Sequence, residues 1–505
     1  PALPCIAPPP CTLPPWTMAP RLCNVLVAAA CGAAVAAGLR ARAPRTGAAA
    51  AAGPGARRHY WPHARGNVGQ YSVASYNAPS NLTAGLAWSW HHPEGRYRTT
   101  VVGAPLIDDQ KNLYLATEDG VRKFDLAGKT LWHYPTPASM VDCPSLHGDR
   151  LYGSTSDSHI FALDLDTGKE VWSKAFPRMG GDTAYVEAHN GVVVAGVESG
   201  PGGGNKQMIG LDAVDGHTLW TFRPEQTVWN VMAVFPDDES TIFMDFNGGV
   251  YRVGLHNGTL LWHTPAPPQS RGSISDGGVM LGPDGTSYTC SNPAKGEVGF
   301  KGIVRSYRLS DGQKLWEKEL DYPCNSWPVV SSDGSSLVVP TGAFVGVPIS
   351  LYAPAEVKEV VHTKALELKQ KEREAIRHPN LPAAIVSLDA HTGEQRWRAE
   401  LPTYGREAAA GDEEGALERS AHHLRGICLP AQFGSPTMSA DGTVYVGRAD
   451  GGLYAVRDAN GDGHIDSKTE VSKFDGGSGY LHPGTTFAPG VMAVATCDTM
   501  FVFKS

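Results

Sequence analysis

The fold is decided by a stretch that reads Leu211-Asp-Ala-Val-Asp-Gly-His-Thr-Leu-Trp220. In it, an apolar segment ends at an aspartate, a turn containing glycine follows, and a second apolar segment ends at a tryptophan. Asp-Gly and Thr-Gly steps are typical of tight hairpins, because glycine readily adopts the positive φ angle that these turns require. The stretch therefore predicts two antiparallel strands joined by a tight turn.

This pattern recurs along most of the chain. Further copies occupy residues 124–132, 163–172, 254–262, 307–316 and 388–397. Seven of the twelve tryptophans fall at the one repeat position, namely Trp88, Trp132, Trp172, Trp220, Trp262, Trp316 and Trp397. Their spacings are 44, 40, 48, 42, 54 and 81 residues, and the first four suit one four-stranded propeller blade per repeat. We expect each indole to fill the wedge between neighbouring blades.

The repeats predict an all-β fold, an eight-bladed β-propeller of four-stranded antiparallel blades. Segments with an early proline, such as 104–109 and 435–442, predict the innermost strands. The repeat after Trp397 ends at Phe474 in place of a tryptophan. The tail of the chain supplies strands of a last blade without its tryptophan strand, and Leu86–Trp90 is a tryptophan strand without a blade. Pairing these amino- and carboxy-terminal strands would close the ring and remove its open edges.

Two insertions and a leader complete the predicted organisation. The propeller is assigned to residues 61–505, with insertions at about 352–380 and 402–431. Each insertion contains a short helix-like stretch, at Glu356–Arg377 and at Glu413–Leu424. We expect them to project from blades six and seven, either as solvated decoration or as a lid or partner-docking surface.

Residues 1–60 are predicted to be a targeting and disordered segment. Residues 18–39 resemble a signal peptide, with Met18, Arg21 and an apolar, alanine-rich run. An acid-free stretch rich in alanine and arginine follows, from Arg40 to Arg65, as in a transit peptide. The leader predicts the secretory pathway and an extracellular destination, or a plastid reached through a bipartite leader. An ordinary signal peptide followed by a disordered propeptide is the other interpretation.

Charge and cysteine usage exclude some classes of function. The seven arginines before Glu94 leave 36 basic against 51 acidic residues in the rest of the chain, a net charge of about −15. Such an acidic body repels a phosphate backbone, so we expect no nucleic-acid binding. The five cysteines after the leader show no metal-ligand spacing. One disulfide would suit an oxidising compartment, and the sequence leaves its pairing open.

The repeat, with Asp-x-x-Thr-Gly-x-x-x-Trp at its centre, resembles the quinoprotein or pyrroloquinoline quinone repeat over about residues 60–505. That family includes quinoprotein alcohol dehydrogenases and non-enzymatic propellers such as the scaffold lipoprotein of bacterial outer-membrane assembly. The resemblance implies the fold strongly and the activity poorly. The dehydrogenases typically carry adjacent cysteines in a vicinal disulfide, and this sequence has no Cys-Cys pair. The chain thus resembles the scaffold propellers more than the enzymes.

A calcium loop is the sharpest local motif. Residues 458–466 read Asp-Ala-Asn-Gly-Asp-Gly-His-Ile-Asp, with oxygen ligands at positions 1, 3, 5 and 9 and glycine at position 6. Position 12 of an EF-hand loop would be a bidentate glutamate, but it is Thr469, and Glu470 follows one step late. We expect a structural Ca²⁺ site with side-chain ligands and one carbonyl ligand, from Asp458, Asn460, Asp462, Asp466 and His464 respectively. An ordinary turn rich in Asn, Asp and Gly is the alternative.

Ligands of propellers usually lie in the central channel, and weak candidates for its lining precede the innermost strands. They are Asp142, Asp182, Trp229, Asn230, Arg271, Asn325, Trp327 and Gln432. These side chains would suit a polar aromatic ligand, or equally a water-filled channel. No catalytic motif with a hydrolase, metalloprotease, phosphate-loop or dinucleotide pattern is present in the sequence.

Three functions remain open at this point. The first is a non-catalytic, monomeric propeller that acts as a scaffold for protein partners in a membrane-associated assembly. The second is an oxidoreductase that holds pyrroloquinoline quinone in the channel. The third is a carbohydrate or small-metabolite binder that uses Trp229 and Trp327.

Overall fold

The computed structural model describes residues 57–504, apart from residues 70, 80, 181–184, 201–203, 231–232, 267–277, 293–300, 325, 344–379, 407, 425–431 and 481–483. The chain divides into two compact units, Pro1–Ala51 and Ala52–Ser505, and every described residue belongs to the second. The predicted signal-like segment and the first helix-like insertion, Glu356–Arg377, therefore lie outside the described residues.

Eight four-stranded antiparallel sheets form the blades of a propeller, as the repeats predict. Blade 1 contains β2 (Leu106–Ile107), β3 (Leu113–Thr117), β4 (Gly120–Phe124) and β5 (Thr130–Pro135). Blade 2 contains β6 (Ser145–His147), β7 (Arg150–Ser154), β8 (His159–Asp164) and β9 (Glu170–Ala175). Blades 3 and 4 contain β10 (Glu187–His189), β11 (Val192–Ser199), β12 (Asn205–Asp212), β13 (Thr218–Phe222), and β14 (Val234–Asp237), β15 (Ser240–Met244), β16 (Val250–Gly254), β17 (Leu260–Thr264).

The second half of the ring repeats this order. Blades 5 and 6 contain β18 (Met280–Leu281), β19 (Thr286–Ser291), β20 (Ile303–Arg308), β21 (Lys314–Glu319), and β22 (Val329–Val330), β23 (Ser336–Gly342), β24 (Leu381–Asp389), β25 (Gln395–Tyr404). Blade 7 contains β26 (Thr437–Met438), β27 (Val444–Gly447), β28 (Gly452–Val456) and β29 (Val471–Asp475). Blade 8 contains β30 (Thr486–Ala488), β31 (Val491–Ala495), β32 (Met500–Lys504) and β1 (Leu86–Trp90).

Blade 8 confirms the predicted closure of the ring. Its outermost strand is β1, which pairs antiparallel with β32, Trp90 opposite Met500 and Ser89 opposite Phe501. The first and last strands of the propeller therefore share one sheet, and no blade is left with an open edge at a chain end. A short helix, α1 (Leu82–Gly85), leads into β1 and begins at Asn81, whose side chain accepts a hydrogen bond from the Ala84 amide.

Six of the seven repeat tryptophans contact the hairpin turn of the next blade. The indole of Trp220 in blade 3 is 6% exposed and donates to the Leu255 carbonyl of blade 4 over 2.6 Å. Gly258 follows in that turn with φ of 64°, and a Cβ there would lie 2.9 Å from the Trp220 ring. The turn glycine thus supplies both the positive φ and the space for the neighbouring indole. Equivalent indole–carbonyl bonds of 2.9–3.2 Å are made by Trp88, Trp132, Trp172, Trp262 and Trp316.

Phe474 takes the tryptophan position of blade 7, as predicted. Its ring is 8% exposed and meets two rings of blade 8 edge-on, at centroid distances of 5.3 Å to Phe501 and 5.1 Å to Phe503. An aromatic side chain at this position therefore packs between blades even where no tryptophan is available.

The two ends of the blades form two faces. Because the strands alternate in direction, connections between blades and those between second and third strands open on one face. We call this the insertion face; it includes residues 91–105, 448–451, 476–480 and 496–499. The turns between third and fourth strands, such as 164–168 and 212–216, open on the opposite face, which we call the turn face. The described channel residues, Asp142, Trp229, Asn230, Trp327 and Gln432, precede innermost strands, on the insertion-face side.

A disulfide joins Cys290 of β19 to Cys324, which lies before β22, with Cα atoms 6.0 Å apart. Cys497 is also disulfide-bonded, whereas Cys143 is a buried free thiol. Disulfides of this kind persist in oxidising compartments. The sequence could not have assigned the pairing, because 34 residues separate the two cysteines and no local pattern connects them.

Removal of this disulfide provides a first test of the fold. Changing both Cys290 and Cys324 to serine is expected to lower the free energy of unfolding by about 3–4 kcal/mol, the chain-entropy value for a loop of this length. Urea denaturation followed by circular dichroism measures the change. A matched Cys143→Ala variant loses no disulfide and is expected to cost about 1 kcal/mol, the usual effect of a single substitution. A double serine variant as stable as the parent would contradict the prediction.

Candidate functional site: the central channel and the insertion face

The centre of the ring is occupied by the chain itself. Residues 57–69 and 71–79, which we call the plug segment, precede α1 and bury several side chains completely or nearly so, including Trp61, His63, Ala64, Arg65 and Ala74. Backbone hydrogen bonds tie the segment to the innermost strands of four blades, through Ile107, Leu146, Phe235 and Met438. A single segment can reach innermost strands all round the ring only where they converge. The plug segment therefore lies on the propeller axis.

A buried charge cluster fixes the plug segment to blades 3 and 5. Nδ1 of His63 lies 2.5 Å from Oε2 of Glu187, and both side chains are at most 1% exposed. The guanidinium of Arg65 is fully buried and donates to the carbonyl of Val279 over 3.4 Å. Burial lowers the pKa of Arg65 to about 9, and the attraction of Glu187 opposes that shift. The carboxylate of Glu187 therefore interacts with both His63 and Arg65 of the plug segment.

Two predicted channel residues meet through a tyrosine that the sequence pattern did not single out. The buried hydroxyl of Tyr185 bonds to the carboxylate of Asp142, and its ring meets the indole of Trp327 edge-on at 6.4 Å. Burial raises the pKa of Tyr185, so this phenol stays protonated and acts as the donor. The guanidinium of Arg65 lies over the Trp327 ring, 4.9 Å from its centroid.

Two further channel residues, Trp229 and Asn230, lie apart from this group. Trp229 packs on Phe246 at a centroid distance of 4.8 Å, beside a cavity of about 510 Å³ lined by residues that include Lys206, Arg223 and Gln226. Asn230 has a positive φ of 42° in the same connection. Trp229 and Trp327 therefore have separate aromatic partners.

Gln432 has a structural contact. Its side-chain amide donates to the carbonyl of Ala343 over 2.8 Å and so ties the connection before blade 7 to blade 6. Three further predicted channel residues, Asp182, Arg271 and Asn325, lie outside the described residues.

The second insertion forms a helix at nearly the predicted position. Helix α2 (Asp412–Ala421) lies within the predicted 402–431 insertion. A buried ion pair of 2.7 Å joins Arg419 to Asp412, with both side chains at most 3% exposed. The backbone before the helix is hydrogen-bonded to blade 7 at Ala449 and to Gly479, through the amide and carbonyl of Ala410. The insertion is therefore a fixed part of the insertion face and not a loosely attached decoration.

Helix α2 also contacts the segment that follows β1. The guanidinium of Arg419 lies 5.5 Å from the ring centroid of Tyr97. Next to Tyr97, Arg96 forms a 2.8 Å ion pair with the buried Asp498 of blade 8. Helix α2 thus contacts the connection between blades 8 and 1, and it leaves Leu417 61% exposed to solvent. Among the described residues, no helix is both long and apolar enough to cross a bilayer.

The predicted calcium loop lies on the turn face of blade 7, between β28 and β29. It replaces the Thr-Gly turn of the other blades, and its Ile465 is buried in the apolar cluster against which Trp397 of blade 6 packs. The loop backbone is folded by its own carboxylates: Asp458 accepts from Gly461 and Gly463 over 2.8 and 3.0 Å. The local sequence thus produces a compact turn in which Asp458 accepts backbone hydrogen bonds from within the loop.

Glu470, one step beyond the expected position, also reaches back into this loop. It accepts from the amides of Ala459 and Asp466 over 2.8 and 2.9 Å, and these bonds lower its pKa. In the described part of the chain, three acid or histidine donors that lie within 4.8 Å of one another occur at Asp212, Asp215 and His217, and not in this loop. The residue types and the turn fit a calcium site, whereas the ligand atoms are not yet gathered into a cage.

Similarity to known proteins identifies the family of this propeller. A family model described as outer membrane protein assembly factor BamB matches residues 88–197 and 156–341, which together span half of the chain. The chain belongs to this BamB family. Its sequence is 23% identical over 227 residues to the outer membrane protein assembly factor BamB of Nitrosomonas eutropha (strain DSM 101675 / C91 / Nm57), covering 44% of this chain and 52% of that protein. The match thus spans about half the length of the curated relative.

Solved structures of both BamB and quinoprotein enzymes share the fold. BamB from Moraxella catarrhalis has a TM-score of 0.54 at 13% identity, covering 83% of this chain and 99% of that chain. A quinohemoprotein alcohol dehydrogenase from Comamonas testosteroni has a TM-score of 0.58 at 14% identity, covering 88% and 80%. A europium-containing methanol dehydrogenase has a TM-score of 0.56 at 14% identity, covering 89% and 98%. At these identities the likeness shows the fold alone.

Proposed function

We propose that this chain is a non-catalytic propeller that acts as a scaffold for protein partners in a membrane-associated assembly. Membership of the BamB family supports the proposal, since relatives of that name are described as assembly factors. The observation that carries it is the fixed helix α2, held by a buried ion pair and yet presenting Leu417 to solvent. Because α2 is already fixed to the blades, a partner that docks on it does not have to order the helix first.

A substitution that places a charge on the exposed side of helix α2 tests the proposal. Leu417→Asp is expected to weaken recovery of partner proteins about tenfold or more, the effect of losing roughly 1.4 kcal/mol of interface energy. The full chain would be purified from membranes of its source, and the co-purifying proteins quantified by mass spectrometry. Leu261→Asp on β17 is a matched control, because Leu261 is 53% exposed and lies on an outer strand away from α2. Equal recovery with all three proteins would contradict a docking role of α2.

An oxidoreductase that uses pyrroloquinoline quinone is the alternative, favoured by the fold shared with quinoprotein enzymes. A planar quinone needs an exposed aromatic face in the channel, but the Trp327 ring is already covered by the guanidinium of Arg65. The residues on the axis therefore fit a quinone poorly. Incubation with the quinone and Ca²⁺ is expected to give neither bound quinone absorbance nor dye-linked alcohol oxidation. Appearance of both would favour the enzyme.

We further propose that the loop at 458–466 binds Ca²⁺ as a structural element. Asp458, Asn460, Asp462 and Asp466 would bind by side chain and His464 by its carbonyl oxygen, which is the donor set that a hard cation prefers. Ile465 of this loop belongs to the apolar cluster against which Trp397 of blade 6 packs. A bound cation would therefore stiffen the contact between blades 6 and 7.

Asp462→Ala tests the calcium loop. Wild-type protein is expected to melt at a higher temperature with Ca²⁺ than with a chelator, by the equivalent of about 2.7 kcal/mol when Ca²⁺ is present at a hundred times its dissociation constant. The variant should melt equally in both. Asp215→Ala is the matched control, because Asp215 belongs to the other acidic turn and should leave the chelator response intact. A wild type that is insensitive to chelator would refute the site.

We place the protein in a compartment reached by export. The Cys290–Cys324 disulfide supports an oxidising environment, and the described relatives are outer-membrane assembly factors. Neither of these relatives supports the plastid route that the leader also suggested, so the proposal keeps the secretory route. We also propose that the propeller is monomeric. It is not expected to bind nucleic acid, in accord with the acidic body of the chain.

A further inference from the structure

Four histidines gather where the plug segment meets blades 2 and 3. His59 and His63 belong to the plug, and His147 and His189 end β6 and β10, the innermost strands of those blades. The rings of His147 and His189 are 6.4 Å apart, and those of His63 and His189 lie 6.1 and 5.1 Å from the ring of Phe235. The imidazoles therefore form one cluster at the contact between the plug and the ring.

Carboxylates reach three of these four rings. Glu187 lies 2.5 Å from His63, Asp238 lies 2.8 Å from His189, and Asp109 lies 3.6 Å from His59. His147 instead accepts a long hydrogen bond of 3.4 Å from the amide of Gly191. The other charged groups that act on the cluster are Asp108, Asp149, Asp237, Arg57 and Arg65.

Burial disfavours protonation of three of these histidines. It lowers the pKa of His59, His147 and His189, and for His147, together with repulsion from the neighbouring imidazoles, it lowers the pKa to about 4. An exposed histidine has a pKa of about 6.5. Because a group with a lowered pKa binds protons more tightly once it is exposed, acidification below about pH 6.5 favours the state in which the cluster is opened.

We propose that the plug segment is a pH-sensitive stopper of the central channel, released when His59 of the plug and His147 and His189 of blades 2 and 3 become protonated. The blades themselves remain closed in that state. His147 and His189 meet at the inner end of the seam between blades 2 and 3, but the bond from Trp172 to the Ala213 carbonyl farther out in that seam does not titrate. The pairing of β1 with β32 keeps the ring shut. Acid then exposes the axial surfaces of the innermost strands without unfolding the propeller.

Hydrogen–deuterium exchange on the full chain tests this proposal. The reporters are amides of the plug that donate to the ring or within the plug, Trp61 to Ile107, Ala74 to Met438 and Ser72 to Arg65. Amides of β15 and β16 in blade 4 serve as the internal reference. After correction for intrinsic rates, protection of the plug amides relative to the reference is expected to fall about 20-fold between about pH 7 and pH 5. This is the value for a pKa that changes from about 4 to about 6.5 on release.

His147→Asn identifies the sensor, because asparagine keeps a polar side chain and cannot take up the proton. It is expected to remove most of the acid effect on the plug amides, whereas His217→Asn, at an exposed histidine of the turn face, should leave that effect unchanged. The proposal is overturned if wild-type plug amides keep their protection at about pH 5. It is equally overturned if plug and reference amides lose protection together, or if His147→Asn responds like the wild type.

Discussion

Replacing Trp220 with alanine is expected to lower the free energy of unfolding by about 3–5 kcal/mol, one of the two largest single losses that the structure predicts. The indole is 6% exposed and packs in the cluster between blades 3 and 4, where no neighbouring side chain can follow it into the space left behind. Its bond of 2.6 Å to the Leu255 carbonyl is lost as well, which leaves a buried acceptor short of a donor. Urea denaturation followed by circular dichroism measures the change.

Leu219→Ala is the matched control for this prediction. Leu219 precedes Trp220 on β13 but points to the other side of the strand, where it is 37% exposed. Its truncation is expected to cost about 0.5 kcal/mol or less. A similar loss in both variants would mean that Trp220 does not close the seam between blades. Gly258→Ala should reproduce part of the Trp220 effect from the other side, because its new Cβ would lie 2.9 Å from the indole at a φ of 64°.

The blades and their closure could be predicted because every relevant signal is local. The hairpin from Asp212 to Trp220 can be recognised within ten residues of sequence. Its recurrence, together with the repeat that ends at Phe474 and the strands at the two ends, gives the number of blades. The unmatched strand Leu86–Trp90 at one end and the missing tryptophan strand at the other left a single way to close the ring, which β1 and β32 confirm. Phe474 could be placed for the same reason, because it stands at the repeat position that a tryptophan occupies in the other blades.

The content of the channel could not be predicted, because it depends on contacts between residues far apart in the sequence. His63 and Glu187 are separated by 124 residues, and neither belongs to a repeat position. The sequence pattern placed Arg65 at the end of a transit-like leader, whereas the structure buries it on the axis. One signal was present: Glu187 is an acid at a position where innermost strands of other blades carry apolar or small residues. An acid at such a position indicates a buried polar partner, but the sequence does not indicate which residue that partner is.

Glu187→Ala is the second change with a large expected effect, a loss of about 3–5 kcal/mol in the free energy of unfolding. Glu187 is 1% exposed, and its carboxylate compensates both His63 and the fully buried Arg65. Removing it takes away the attraction of Glu187 that opposes the burial cost of the Arg65 guanidinium, so that cost falls on the folded state. Glu187→Gln keeps the shape and an acceptor oxygen for His63, so a smaller loss of about 1–3 kcal/mol is expected.

A double-mutant cycle separates this electrostatic effect from simple loss of packing. Arg65→Met removes the guanidinium and keeps most of its apolar volume, but it leaves Glu187 without its cation and should also destabilise the protein. The combined variant carries neither charge, so it is expected to be more stable than Glu187→Ala alone. Losses that simply add would mean that the two groups are independent and that shape alone holds the plug on the axis. A double variant more stable than either single one requires that the charges of Arg65 and Glu187 are coupled, so that the plug is held on the axis by electrostatic attraction as well as by shape.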